Sequence, residues 1–336
     1  MGIKDEPKLI EMARFIQFMM ILAVVAAGDT SVCAQVNERV KNHTEYLASD
    51  ELEGRGRGST GAELAATYIA EQFRGMGLKS WKRDSYLQRF DIPGLEKMES
   101  NVVGYIGSKY SSDRSIVFTA HYDAYGIRKK EGEIDSIYNG ARDNAVGVAA
   151  LIELARNFTK QKAPRYNLVF VATAAEEFGL YGSKFYLKNP IFPTKEIIIC
   201  LNIDGFNVSG KRQDYFVLPR QGIDFLDEIQ SALKPQGWIY NSPDWEDGLN
   251  KSFDTAVFLE KGIPAVTIWT GDRKKDGTQA DPIPFGPIHS PEDEITEHWN
   301  WEGVEEHLQL YQLLANFFLE NPDGIEVTDP TLFSQN

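Results

Sequence analysis

Seven side chains in this sequence fall where metal-assisted chemistry can use them. His121-Tyr122-Asp123 closes the apolar run Ser115–Ala120, Glu176-Glu177 follow the run Asn167–Ala172, and Asp204 ends the run Glu196–Ile203. Asp143 stands in Asn139-Gly140-Ala141-Arg142-Asp143-Asn144, and His289 in Ile288-His289-Ser290-Pro291-Glu292-Asp293. Imidazoles mixed with carboxylates suit zinc, and the extra carboxylates also admit cobalt or manganese. Two divalent ions about 3.5–4 Å apart need one bridging carboxylate and further ligands on each ion. Such a pair makes a water acidic enough to attack a carbonyl. A carboxylate that is not a ligand must then take the proton and pass it to the leaving group. Adjacent acids such as Glu176-Glu177 can divide those two tasks.

Taken singly, each residue also has an ordinary structural reading. His121 can be a strand-end histidine, Glu176-Glu177 a helix start, Asp204 a turn cap and Asp143 an N-cap. The elements around them favour the shared reading. Ser115–Ala120, Asn167–Ala172, Glu196–Ile203 and Pro264–Trp269 read as buried strands, and Val102–Ile106 as another strand. Helical spacing marks Val36–Leu47, Ala145–Phe158, Leu180–Leu187, Ile223–Leu233, Thr255–Leu259 and Val304–Leu319. A further helix follows a capping-box pattern at Thr60 and Glu63, after the loop Glu51–Gly58. Continuous apolar strands alternating with helices predict an α/β fold. It is one globular domain with a mixed, mostly parallel central sheet and helices on both faces. Ligands in such folds bind beyond the carboxyl ends of the strands, which is where these acids and His121 fall.

The chain has 336 residues, 42% hydrophobic, which is enough for a sizeable core and excludes bulk disorder. Its 49 acidic and 35 basic residues give a net charge of −14, which argues against nucleic acid as a partner. Phe15–Gly28 is an uncharged, mostly apolar run of 14 residues, preceded by Arg14 and followed by Val32-Cys33-Ala34. This is the layout of a secretory signal peptide over residues 1–34, with Met12 as an alternative start. The expected organisation is a signal peptide at 1–34, a catalytic domain at 35–322 and a loose C-terminal tail at 323–336. Export, with Cys200 the one remaining thiol, fits a bacterial periplasmic or secreted protein. No stable membrane insertion is expected after cleavage, and a monomer is the default.

The motifs together resemble the M28 family of di-zinc aminopeptidases. Ser49-Asp50-Glu51-Leu52-Glu53-Gly54-Arg55 is similar to the family's opening segment, and His121-Tyr122-Asp123 to its His-x-Asp element. Asn139–Gly147 is similar to the segment with the bridging Asp, and Ala175–Ser183 to its Glu-Glu-x-Gly-Leu-x-Gly-Ser element. The resemblance covers roughly residues 40–320. It implies a zinc-dependent exopeptidase fold with two Zn2+. Asp143 would bridge them, His121 and Asp204 would complete one site, and Glu177 and His289 the other. Glu176 would be the general base, and Asp123 would hold His121 and fix its tautomer. The family usually shows a cis peptide after the bridging Asp, which predicts one at Asp143-Asn144.

The implied reaction is hydrolysis of the first residue from peptides with a free N-terminus. Phe206, Trp245, Phe253, Phe258, Trp269 and Phe285 are candidates for an apolar first-residue pocket, with Ser242–Ser252 as a flap over it. Within the same fold, the alternatives are a zinc carboxypeptidase or a glutaminyl-cyclase-like enzyme. From a different class, the alternative is a non-catalytic binding module. Three positions depart from the family pattern: Ala124, Arg142 and the Asp254 segment, and they bear on the rim and specificity. His43, His298 and His307 read as surface or helix residues, and His298 is the rival to His289.

Overall fold

The computed structural model describes residues 34–129, 136–243, 249, 251–281 and 286–334. The expected signal segment up to residue 33 lies outside these, as do Trp245, Phe285 and most of the expected flap. Helix α1 spans 34–47, followed by α2 (Thr60–Gly75), β1 (Lys79–Ser80), β2 (Leu87–Phe90), β3 (Glu99–Ile106) and β4 (Ser115–His121). A small ribbon of β5 (Gly126–Ile127) and β6 (Ile137–Tyr138) precedes α3 (Val146–Thr159), β7 (Asn167–Thr173), α4 (Tyr181–Lys188) and β8 (Ile197–Asn202). The last elements are β9 (Asp214–Leu218), α5 (Leu226–Leu233), β10 (Ile239–Tyr240), α6 (Thr255–Glu260), β11 (Ala265–Thr270) and α7 (Val304–Glu320).

The main sheet runs β1-β3-β7-β4-β8-β11-β9-β10, with β2 also paired to β3. Its four central strands, β7, β4, β8 and β11, are parallel, while β3 and β9 flank them antiparallel. The expected mixed, mostly parallel centre is therefore present. Strands β4, β7 and β8 are buried at every position, which is why they read as continuous apolar runs. Their side chains nonetheless alternate between two cores. Ile116, Phe118 and Ala120 join the core beneath α2, α3 and α7, while Val117 joins the one beneath α4 and α6. Helices thus cover both faces.

Three local readings differ from the structure. Ser59, not Thr60, caps α2: its Oγ accepts the Ala62 N–H at 3.0 Å. Strand β9 has no counterpart in the sequence reading, because five residues between polar loops give too short a period to distinguish. Residues 323–334 do not hang loose. Asp323 pairs with Arg114 at 2.9 Å, and Phe333, fully buried, joins the α6 core. Asp329 caps the short turn Pro330–Phe333 that delivers this ring.

Helix α1 docks through charge. Buried Glu153 of α3 meets Arg39 at 2.8 Å and Arg156 at 2.7 Å, and His43 Nδ1 lies 2.6 Å from the Tyr68 hydroxyl. Burial lowers the His43 pKa from 6.5 to about 4, against the pull of Glu153. The folded state therefore binds fewer protons than the unfolded state in this window. The stability conferred by neutral His43 is complete above pH 6.5 and falls by up to about 3 kcal/mol as pH drops toward 4. Urea unfolding of metal-free protein at pH 7 and pH 5 should show about 2 kcal/mol of this loss, and His43→Asn should flatten the slope. An unchanged slope in the variant would assign the pH dependence elsewhere.

Candidate metal centre

The site lies where parallel strands end together. Register pairs His121 of β4 with Thr173 of β7, and Thr119 of β4 with Asn202 of β8. The chain then leaves β7 into Glu176-Glu177 and β8 into Asp204. Asp143 is supplied by a single wide turn (Ala141–Ala145) just before α3. The Asp143-Asn144 peptide is cis, as the sequence comparison predicts.

These residues converge. His121 Nε2 lies 3.1 Å from Asp143 Oδ1 and 3.5 Å from Asp204 Oδ1. His289 Nε2 lies 2.9 Å from Asp143 Oδ2 and 3.3 Å from Glu177 Oε1. Two groups able to hold a metal result: His121, Asp143 and Asp204, and Asp143, Glu177 and His289. Each oxygen of Asp143 faces a different histidine. His298 is exposed and belongs to neither group among the described residues. Glu176 is outside both groups but lines the same cavity as Glu177 and Asp204.

The electrostatics are those of a cation site. Burial opposes a charged His121, yet Asp204 and Glu176 outweigh it and push its pKa well above the ordinary value. The carboxylates of Asp143 and Glu177 beside its ring raise His289 to about 10. Burial raises Asp204 to about 6 and also pushes Glu176 well above the usual carboxylate range. Burial also works against the Asp143 carboxylate, but bonds from both histidines hold its pKa below the usual range. Four carboxylates thus crowd two imidazoles. The buried Glu177 Oε1 accepts no hydrogen bond, although His289 Nε2 is near. Two divalent cations would balance the four carboxylates and occupy this orphaned oxygen, so the donor set fits zinc.

The supporting bonds are mostly to backbone. Asp123 behaves differently from the expectation: its carboxylate is 3.8 Å from His121 Nδ1, and its backbone carbonyl, at 3.2 Å, is the nearer partner. The carboxylate oxygens instead accept the N–H groups of Glu176 at 3.0 Å and Glu177 at 3.3 Å. Three further residues escaped the sequence reading. Asn144 Nδ2 donates to Ile203 O at 2.8 Å, and its Oδ1 accepts from the Gly205 N–H at 2.9 Å, tying the Asp143 turn to the end of β8. Asp293 accepts the N–H groups of Arg142 and Asp143 at 3.0 and 3.1 Å. Arg55, fully buried, donates to the carbonyls of Tyr122 at 2.6 Å, Asn139 at 2.7 Å and Gly140 at 3.0 Å, and also to Leu47. It lies in the opening segment Ser49–Arg55, where a basic residue between glycines was the available signal.

A cavity of about 940 Å³ opens beside Asp143, Glu176, Glu177 and Asp204. Phe206, Phe253 and Trp269 line it, as expected, whereas Phe258 is fully buried in the core below. Arg142 also lines it and donates to Gly286 O at 2.8 Å. Asp254 is buried beneath the site and accepts from Thr173 Oγ1 at 2.6 Å. His307 is a buried helix residue: its Nδ1 accepts the Asn207 N–H at 3.0 Å, and its ring stacks on Phe206 with centroids 4.1 Å apart. It fixes one aromatic wall of the cavity.

Comparison with known proteins places the fold and the family. A probable zinc metalloprotease of Pyricularia oryzae is 37% identical over 149 residues, which is 43% of this chain and 28% of that protein. The chain thus spans little more than a quarter of that relative's length. The zinc aminopeptidase BSAP of Bacillus subtilis shares the fold with a TM-score of 0.61 at 17% identity, over 85% of this chain and 95% of that one. A glutaminyl cyclase of Bacteroides thetaiotaomicron does so with a TM-score of 0.57 at 18% identity, over 86% and 96%. The sequence pattern of peptidase family M28 matches residues 101–314, a span that includes all seven candidate residues, and the chain belongs to that family.

Proposed function

We propose that this protein is an exported two-zinc aminopeptidase that removes the first residue from peptides with a free N-terminus. The observation that carries this reading is the pair of three-residue groups sharing Asp143. His121, Asp143 and Asp204 would hold one ion, and Asp143, Glu177 and His289 the other. Bound there, the ions supply electrophilic activation of the scissile carbonyl and of a water. Glu176 would take a proton from the attacking water and deliver it to the leaving amine. Asp123, by fixing the Glu176 and Glu177 amides, holds the base beside the ligand. The acidic cavity wall favours a cationic α-amine, and Phe206, Phe253 and Trp269 receive the first side chain. Export rests on the apolar run Phe15–Gly28, and the working form is taken as a monomer.

Mass spectrometry of the native mature protein, paired with a panel of aminoacyl-nitroanilides, tests this. The expected result is about two zinc per chain with hydrolysis of leucine-type substrates. Asp143→Ala should lose both ions, whereas His289→Ala should keep one. Bound metal without aminopeptidase activity would move the search to carboxypeptidase or cyclase substrates. No binding after reconstitution would remove the ligand assignment.

A further inference from the structure

The metal centre has a second border, away from the cavity. The Tyr125 ring meets the His289 ring edge-on, with centroids 4.7 Å apart, and Phe178 follows Glu177 with its ring 6.0 Å from Tyr125. Neither aromatic lines the cavity. Glu177 and His289 therefore stand between the cavity and these two rings.

Two exposed arginines are stacked on them. The Arg57 guanidinium lies 4.3 Å from the Phe178 centroid, and that of Arg128 lies 4.0 Å from Tyr125 and 5.9 Å from Phe178. Arg57 follows the opening segment and Arg128 the ribbon strand β5, so two separate segments bring cations to one ring. Among the described residues, neither guanidinium has a carboxylate within ion-pair distance. In a chain of net charge −14 the pair brings positive charge to the edge of an acidic centre, with Glu99 near enough to Arg57 to feel its charge. Arg128 Nε donates to the Tyr125 carbonyl at 3.3 Å, and stacking fixes the plane of each guanidinium, so the two terminal nitrogens present the geometry that takes a carboxylate in a two-pronged bond.

A peptide whose first residue fills the cavity must carry its remaining chain past the metal ligands. An extended chain advances about 3.3–3.6 Å per residue, so the residue that follows the scissile bond can carry a side chain or terminal carboxylate toward ring-stacked cations at this rim. We propose that Arg57 and Arg128 form a carboxylate-binding rim that selects peptides with a negative group on the residue that follows the scissile bond. The proposal rests on the aminopeptidase reading. The carboxylate can be the peptide's own C-terminus or an acidic side chain.

Two substrate pairs separate these sources, with leucine first in each: Leu-Gly against Leu-Gly-amide, and Leu-Asp-amide against Leu-Asn-amide. The zinc-loaded enzyme at low salt is expected to favour the charged member of at least one pair by about five- to tenfold in kcat/KM. The pair affected identifies the source. That ratio should fall toward one in Arg57→Gln/Arg128→Gln and in high salt, where exposed charges are screened. The ratio within a pair is read rather than the absolute rate, so a general loss of activity does not imitate the effect. Equal hydrolysis of all four substrates, or a ratio that survives in the double variant, overturns the rim and leaves the aminopeptidase reading standing. No cleavage of any of the four overturns that reading and the rim with it.

Discussion

Glu176→Gln is expected to cut peptide turnover by about 10²–10⁴-fold, the range for loss of a positioned general base. The substitution keeps the shape of the side chain and removes its capacity to accept a proton. Glu176 belongs to neither ligand group, so zinc content should remain that of the wild type. Its position is held through the backbone, where Asp123 Oδ1 accepts its N–H at 3.0 Å, and that bond is indifferent to the side chain. The loss should therefore appear in kcat with little change in KM, the pattern of an interaction made mainly in the transition state. Steady-state kinetics with metal analysis on the same sample decides the matter. Full activity with metal retained would remove Glu176 from the reaction. Loss of metal together with activity would place it among the ligands. Glu177→Gln is the informative contrast, because Glu177 shares a group with Asp143 and His289 and its replacement should weaken metal binding.

The parts of this site that could be read from sequence are those that follow buried strands. Strands β4, β7 and β8 are covered on both faces, so their apolar runs are uninterrupted, and the first acid or imidazole after each marks a strand end. Parallel register then places those ends side by side without further information. The loop residues Asp143 and His289 have no such rule. Their assignment rested on family resemblance, and the structure brings both to the same place. What stayed hidden is the set of polar bonds made to backbone from far along the chain. Asn144 reaches Ile203, Asp293 reaches Asp143 and Arg55 reaches Asn139. Such bonds depend on where carbonyls and amides point after folding, and no hydrophobic period encodes them. The C-terminal segment was misjudged for a related reason. One buried ring, Phe333, anchors a polar stretch whose composition resembles a tail.

Arg55 makes the strongest structural demand of these hidden residues. Burial lowers its pKa to about 10, with Asp123, Asp293, Asp143 and Glu294 acting the other way, and it stays charged at neutral pH. Its fork joins three segments: α1 at Leu47, the loop after β4 at Tyr122, and the approach to Asp143 at Asn139 and Gly140. The first of these loops follows His121 directly, and the second carries Asp143, the residue common to both candidate metal groups. Arg55→Met would leave the four carbonyls without their donor and the neighbouring acids without their cation. The expected cost is about 3–5 kcal/mol, the range for breaking a buried charge network from one side. Urea unfolding of the metal-free variant measures this. Zinc titration against a chromophoric chelator measures the second consequence, a loss of affinity of at least about tenfold if the cation sets the spacing of the two ligand loops. Arg55→Lys keeps the charge but presents three donors from a single nitrogen rather than a planar fork, so it should recover only part of both quantities. A variant that is destabilised but binds zinc normally would restrict Arg55 to holding the fold. A selective loss of zinc affinity, partly restored by lysine, would show that the opening segment sets the geometry of a metal centre it does not itself touch.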